Sequence, residues 1–359
     1  MRRHHSLSFT LQILLLFSAS ASLPGDEPPL PDPLVFNDGH RVETREDWQH
    51  RRNEIRDMLL SIEYGSMPLA PEKWNAVITS ENEAFSGKAI DRRVTLTFGE
   101  GEKAFTMRAG FLIPDRPGKF AVVIKNDVAI GHVSIAERLI EQGYIVAEYV
   151  RTDLDPDESN ITGPAQKAYP AEDWGTLAVW AWGGMRIIDY VMGLPQVNGE
   201  QIAVFGHSRG GKVALLTGAL DDRIAVSLPN GSGAGGAALY RNQGPKAESL
   251  AAITDPARFG YWFSSMLRSF AGKEETLPFD QHFLRALVAP RAVFSTDARG
   301  DLWANPQGTQ EACDAAASVY AFLGAPESAN ACHFRDGEHD ETAEDWKAAL
   351  RFMNDLFGK

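Results

Sequence analysis

The pentapeptide Gly206-His207-Ser208-Arg209-Gly210 carries the clearest chemical signal in the chain. It follows a short apolar run, residues 202–205, and precedes an Ala- and Leu-containing segment. A G-x-S-x-G pattern therefore stands between an expected strand and an expected helix. The glycines are needed because the turn is tight enough for side chains there to collide with neighbouring strands, while the serine is lifted out with its hydroxyl exposed. A helix starting just after Ser208 aims its free N–H groups and positive dipole end at the place where an oxyanion forms. A serine hydroxyl is a weak nucleophile at neutral pH. It needs a base, and the base needs an orienting acid.

In α/β-hydrolases the histidine comes last in chain order, and His339 meets that requirement. It lies in Asp336-Gly337-Glu338-His339-Asp340, an expected loop between the run 331–334 and a final helical segment, 342–356. His333 is the rival, but it falls inside the expected strand and reads as a packed residue. For the acid, the stretch Asp297-Ala298-Arg299-Gly300-Asp301-Leu302-Trp303 follows the run 291–295 and precedes the histidine loop. Two aspartates compete there, Asp301 and Asp297, and the latter equally suits a turn or cap.

Positioning these groups requires a sheet. From Lys119 onward, short continuous apolar runs (120–124, 144–150, 202–205, 224–228, 291–295) alternate with helical segments (133–142, 175–190, 212–220). That is the pattern of a doubly wound, mostly parallel sheet in a three-layer α/β/α sandwich, with right-handed crossovers. Upstream, Trp48, Ile55, Met58, Leu59 and Ile62 predict an amphipathic helix within 43–64, and alternating stretches between 74 and 113 predict antiparallel strands. Residues 234–280 lack a strand run and are expected to form a helical excursion over the carboxyl ends of the strands, where ligands bind.

The chain has 359 residues, 44% hydrophobic, which fits one large catalytic domain over 41–359. Residues 1–22 run from Arg2 and Arg3 through an apolar stretch to small residues, the pattern of a secretory signal peptide; 23–40 read as an extended arm. No later segment supplies a membrane span. The formal charge of −13 argues against nucleic acid or an anionic membrane as partner. Cys313 and Cys332 are the two cysteines, and in an oxidising compartment such a pair is expected to be bonded. No metal or organic cofactor is required by this chemistry, and nothing demands more than a monomer.

With these motifs in view, the sequence resembles the glucuronoyl esterases, carbohydrate esterase family fifteen, particularly bacterial members. The similarity runs through Gly175-Thr176-Leu177 with Trp180-Ala181-Trp182-Gly183, the stretch 206–212, Ser232-Gly233-Ala234-Gly235-Gly236-Ala237-Ala238-Leu239, Asp280-Gln281-His282, Ala289-Pro290-Arg291, Asp301-Leu302-Trp303-Ala304-Asn305-Pro306 and Gly337-Glu338-His339-Asp340. The resemblance implies an α/β-hydrolase fold and hydrolysis of esters of 4-O-methyl-D-glucuronic acid that tie glucuronoxylan to lignin alcohols. It implies Ser208 as nucleophile, His339 as base and Arg209 as oxyanion donor. It also implies Lys212 and Glu248 as sugar-binding residues, the latter on a loose alignment, and Trp303 as a wall of the uronate pocket. Many members carry the acid immediately before Ser-Gly in the turn after the sixth strand. Here that position is Gly231, so the acid is assigned to Asp301.

Two other readings share the scaffold. One keeps the machinery and changes the acyl group, for instance to acetyl esters on xylan. The other is a carbohydrate-binding protein on a retired hydrolase scaffold, for which Gly231 is the support.

Overall fold

The computed structural model describes residues 29–359. The expected signal peptide and the first residues of the arm lie outside them. In the sheet, the strands are β1 (Trp74–Ala84), β2 (Ala89–Phe98), β3 (Phe105–Pro114), β4 (Phe120–Asp127), β5 (Tyr144–Val150), β6 (Val197–His207), β7 (Val226–Asn230), β8 (Ala292–Ala298) and β9 (Asn330–Arg335). They form one sheet in the order β1-β2-β3-β5-β4-β6-β7-β8-β9. β1 to β3 are antiparallel, β3 meets β5 antiparallel, and β5 through β9 are parallel. Every residue of β5 and β8 is buried, as covering a sheet on both faces requires.

The helices are α1 (Arg45–Leu59), α2 (Ala136–Glu141), α3 (Pro164–Ala168), α4 (Thr176–Met192), α5 (Arg209–Leu220), α6 (Leu250–Ile253), α7 (Gln281–Val288), α8 (Pro306–Leu323) and α9 (Ala343–Phe357). α4, α5 and α7 pack successively against one another, whereas α2 packs on β5 and α9 on β7 and β8. Asn354 of α9 also donates to Gln142, just after α2, at 2.6 Å. The result is the expected three-layer α/β-hydrolase sandwich. Among the described residues, no helix is long and apolar enough to cross a membrane.

Four expectations need correcting. First, the arm is not extended where it is described. Val35 bridges Arg41 antiparallel, and the Asp38-Gly39 turn closes a short hairpin, with Gly39 at φ 92°. Its carbonyls serve buried side chains: Arg51 donates to the Pro33 carbonyl at 3.2 Å, and His282 Nε2 bonds that of Pro31 at 2.8 Å. Second, residues 234–280 hold only α6 and single helical turns. Buried side chains satisfy this backbone in place of a helix: Arg241 donates to the carbonyls of Leu277 at 2.6 Å and Phe279 at 3.1 Å, and Asp280 accepts from Tyr240 N at 2.6 Å.

Third, Cys313 and Cys332 are free thiols. The thiols stand beside each other unbonded, and Cys313 Sγ also meets the carbonyl of Asn330 at 3.4 Å and Cys332 Sγ that of Thr309 at 3.8 Å. Fourth, β8 runs to Ala298, so Asp297 belongs to a strand rather than a loop. The extension is polar: Thr296 Oγ1 accepts from Asn230 at 2.8 Å and, just before it, Ser295 Oγ accepts from Arg285 at 2.6 Å, whereas Asp297 finds no hydrogen-bond partner.

Arg285, fully buried in α7, also reaches Asn330 Oδ1 with two nitrogens, at 3.0 and 2.8 Å, and so ties α7 to β8 and β9. Arg285→Met roughly keeps the volume but leaves buried Ser295 and half-buried Asn330 without this donor. Chemical unfolding should show a loss of about 3 kcal/mol; a loss under about 1 kcal/mol would mean that these contacts do not hold the layers.

Candidate active site

Every sequence-predicted group of the site lies at or just beyond the carboxyl end of a parallel strand or in the 234–280 segment above those ends. β6 ends at His207, and Ser208 turns the chain at φ 55°, ψ −124° before α5 begins at Arg209. This conformation is uncommon for a residue with a side chain. The glycines around it are sterically required: a Cβ on Gly206 would stand 1.9 Å from the carbonyl oxygen of Gly210, and one on Gly210 would stand 2.9 Å from Asn126 Oδ1. Ser208 N donates to the carbonyl of Asn230 at 2.8 Å, which anchors the turn to β7. The first N–H groups of α5 have no carbonyl above them in the helix and face the serine side of the turn.

His339 Nε2 lies 2.9 Å from Ser208 Oγ, and its Nδ1 lies 2.5 Å from Asp301 Oδ2. The other oxygen of Asp301 accepts from Ala304 N at 3.1 Å, so the carboxylate is fixed at both ends. The histidine is exposed but its loop is braced. Buried Arg335 donates to both oxygens of Asp345 at 2.9 Å and to the carbonyls of Asp336 at 3.0 Å and Asp340 at 2.5 Å. Lys125 reaches Glu341 at 2.8 Å on the loop's other side. The arrangement can deprotonate a serine hydroxyl, hold the resulting imidazolium and return the proton to a leaving group.

The rival residues lie elsewhere. His333 is in β9, stacked on Phe294 with centroids 6.2 Å apart. Asp297 is 1% exposed and neither of its oxygens has a hydrogen-bond partner. Burial, reinforced by the charge of Asp301, pushes its carboxyl up to about 8. Gly231, at φ 51°, lies beside the triad: a Cβ there would be 3.5 Å from Asp301 Oδ2. The Asp301 side chain thus reaches the neighbourhood that an acid at 231 would occupy.

Arg209 follows the nucleophile but is clamped. It pairs with Asp157, and its guanidinium lies 4.9 Å from the Trp262 ring centre and 6.0 Å from that of Phe259. Asp157 also accepts from Tyr261 Oη at 2.8 Å and Trp262 Nε1 at 3.0 Å. Burial opposes its ionisation, yet the Trp262 bond and the Arg209 charge hold its carboxyl below the usual range. Lys212 is buried, and its ammonium donates to the carbonyls of Ser232 at 2.7 Å and Ala234 at 2.5 Å and to Glu248 at 2.6 Å. Three bonds use all its donors. Glu248 is joined to Trp303 through the backbone, Glu248 N donating to the Trp303 carbonyl at 2.9 Å, and the Trp303 ring stays 37% exposed.

Asp157, Trp262 and Asn230 were missed from sequence. Asn230 Oδ1 lies 2.6 Å from His207 Nδ1, bracing the residue before the nucleophile. The available signal for Asp157 was its Asp-Pro-Asp setting soon after β5, since carboxyl ends of parallel strands are where ligand contacts gather.

Comparison with known proteins gives a consistent picture. The family model described as glucuronyl esterase, fungi, matches residues 85–324. Carbohydrate esterase MZ0003, from an unknown prokaryotic organism, is 33% identical, with 90% of this chain and 89% of the relative covered. A 4-O-methyl-glucuronoyl methylesterase of Schizophyllum commune is 30% identical over 83% of this chain and 75% of its own. Among solved structures, a promiscuous carbohydrate esterase of family 15 from a marine bacterial metagenome superposes with a TM-score of 0.83. It is 30% identical, covering 92% of this chain and 97% of that one.

Asp297 can be tested by pH. With a folded-state value of about 8 against an ordinary 3.8, Asp297 keeps a proton that the unfolded chain has released. Its stabilisation is complete below pH ~4 and is lost as the pH rises through 8, at about 1.4 kcal/mol per pH unit within that window. Asn carries no such proton. The stability of Asp297→Asn relative to the parent should therefore grow between pH 5 and pH 8 in thermal unfolding; a constant difference would mean that Asp297 is already ionised.

Proposed function

The chain belongs to the glucuronoyl esterase family, carbohydrate esterase family 15, and on that premise we propose a secreted serine esterase that cleaves esters of 4-O-methyl-D-glucuronic acid joining glucuronoxylan to lignin alcohols. It is a carboxylic ester hydrolase by family. The observation that carries the mechanism is the relay Asp301–His339–Ser208, with bonds of 2.5 and 2.9 Å.

In this mechanism Ser208 Oγ attacks the ester carbonyl carbon as its proton passes to His339 Nε2. The carbonyl π electrons move to oxygen, and the oxyanion is met by the first N–H groups of α5 and by the Arg209 guanidinium. Collapse expels the alcohol, which takes the proton from His339, and leaves a uronoyl ester on Ser208. A water molecule, deprotonated by the same imidazole, then releases the acid and restores the serine. Asp301 holds the tautomer and offsets the imidazolium charge in both halves.

Trp303 offers a half-open aromatic face for the sugar, and the Lys212–Glu248 pair is the hydroxyl-binding partner. A sugar hydroxyl enters that pair by replacing one of the lysine's carbonyl bonds. Residues 1–22 serve export and leave the mature chain, whose catalytic domain functions as a monomer.

A broader acyl range is the second reading. It is favoured by the exposure of His339, whose side chain is 38% accessible, and by the likeness to an esterase described as promiscuous. The retired-scaffold reading rested on Gly231, and the reach of Asp301 into that neighbourhood removes its support.

Benzyl glucuronate and an acetyl ester, offered separately to wild type, Ser208→Ala and Asp301→Asn, test these readings. Turnover of the uronate ester should be abolished by Ser208→Ala and should fall on the order of 10³- to 10⁴-fold in Asp301→Asn. Cleavage of the acetyl ester alone would select the second reading. Wild-type rates retained by Asp301→Asn would remove Asp301 from the relay.

A further inference from the structure

The cations around the nucleophile differ in what they face. Arg209 is paired with Asp157 and Lys212 with Glu248. Arg258 is exposed and, among the described residues, has no carboxylate within ion-pair distance. The nearby Asp255 side chain is occupied in its own turn, accepting from Ala257 N at 3.0 Å. What holds the Arg258 guanidinium is aromatic: its carbon lies 4.7 Å from the centre of the Phe259 ring and 5.0 Å from that of Trp303.

Cation–π contact fixes a guanidinium by its face and leaves the N–H edge available. That edge is a planar fork of donors matched to a carboxylate. The Phe259 ring that carries Arg258 also lies 6.0 Å from Arg209, so two guanidiniums address one ring. Arg209, next to Ser208, has its charge met by Asp157. Arg258, beside the exposed Trp303 wall, serves a group farther out. Because the chain has a formal charge of −13, an anionic polymer is repelled by the overall field unless a local cation receives it.

We infer that Arg258 is a recognition site for a carboxylate other than the one in the scissile ester: a free uronic acid on the same acidic polysaccharide. This rests on the uronate reading of the site. It makes the enzyme prefer chains on which some acid groups are already unesterified.

Binding separates this inference from catalysis. The probes are a xylo-oligosaccharide bearing free 4-O-methyl-glucuronic acid groups, a neutral xylo-oligosaccharide of the same length, and free glucuronate, each titrated calorimetrically into Ser208→Ala with Arg258 intact, Arg258→Ala or Arg258→Lys. The acidic oligosaccharide should lose about three- to fivefold in affinity in Arg258→Ala, with a smaller loss in Arg258→Lys and no change for the neutral one. The difference should shrink in 0.5 M salt, where the screening length falls to a few ångström. Equal affinities with Arg258 intact and in Arg258→Ala would overturn the inference. An effect confined to free glucuronate would assign the site to the released product and overturn recognition of the polymer. Wild-type turnover of benzyl glucuronate reads the proposed activity independently: if it is absent while the Arg258-dependent binding persists, the esterase reading falls and the carboxylate site stands.

Discussion

The strand-to-helix reversal at Ser208 is the constraint on which the rest of this structure depends. A side-chain-bearing residue is held at positive φ, with Gly206 and Gly210 so close that neither tolerates a Cβ. Such a conformation persists only when its surroundings over-determine it. Here β4 contributes Asn126, which donates to the Gly210 carbonyl at 2.9 Å, and β7 contributes the Asn230 carbonyl that receives Ser208 N. Both neighbouring strands are therefore part of the turn. Their registry with β6 sets the serine hydroxyl, and the β8 and β9 loops bring Asp301 and His339 to it.

The second requirement is to hold an exposed histidine without burying it. Arg335 does this by satisfying carbonyls on either side of His339 and pairing with Asp345 at the start of α9. The loop is thus fastened at its ends while its middle stays open to substrate. Trp346 adds a second fastening, stacking on Phe205 of β6 at 3.8 Å and donating to Glu341 at 2.7 Å. The strand below Ser208 and the helix after His339 share one packed contact, which ties the two positions together.

The fold was legible where burial writes a period. Continuous apolar runs predicted β4 to β9, and the elbow with the histidine loop placed Ser208 and His339 at the carboxyl ends of β6 and β9. What was not legible depends on single long-range bonds. β8 runs on past Ser295 through Thr296 to Ala298, with Arg285 of α7 held on Ser295 and Asn230 of β7 on Thr296, and no local pattern announces that. The 234–280 segment reads as helical by exclusion, yet Arg241 and Lys212 satisfy its backbone without a helix. Asp157 and Arg258 come from stretches with no periodicity. Their placement follows from the aromatic rings they meet.

Gly231 and Asp301 share one small space beside His339. A carboxylate grown from position 231 and the one already at Asp301 would compete for one imidazole nitrogen in a space that holds a single negative charge comfortably. The two locations for the acid are therefore alternatives: with carboxyls at both, one would stay protonated and only one would serve His339. Asp is among the few residues that tolerate a left-handed backbone, so charge rather than backbone strain is what sets two acids here against each other. With a bare glycine after β7, Asp301 has that imidazole nitrogen to itself.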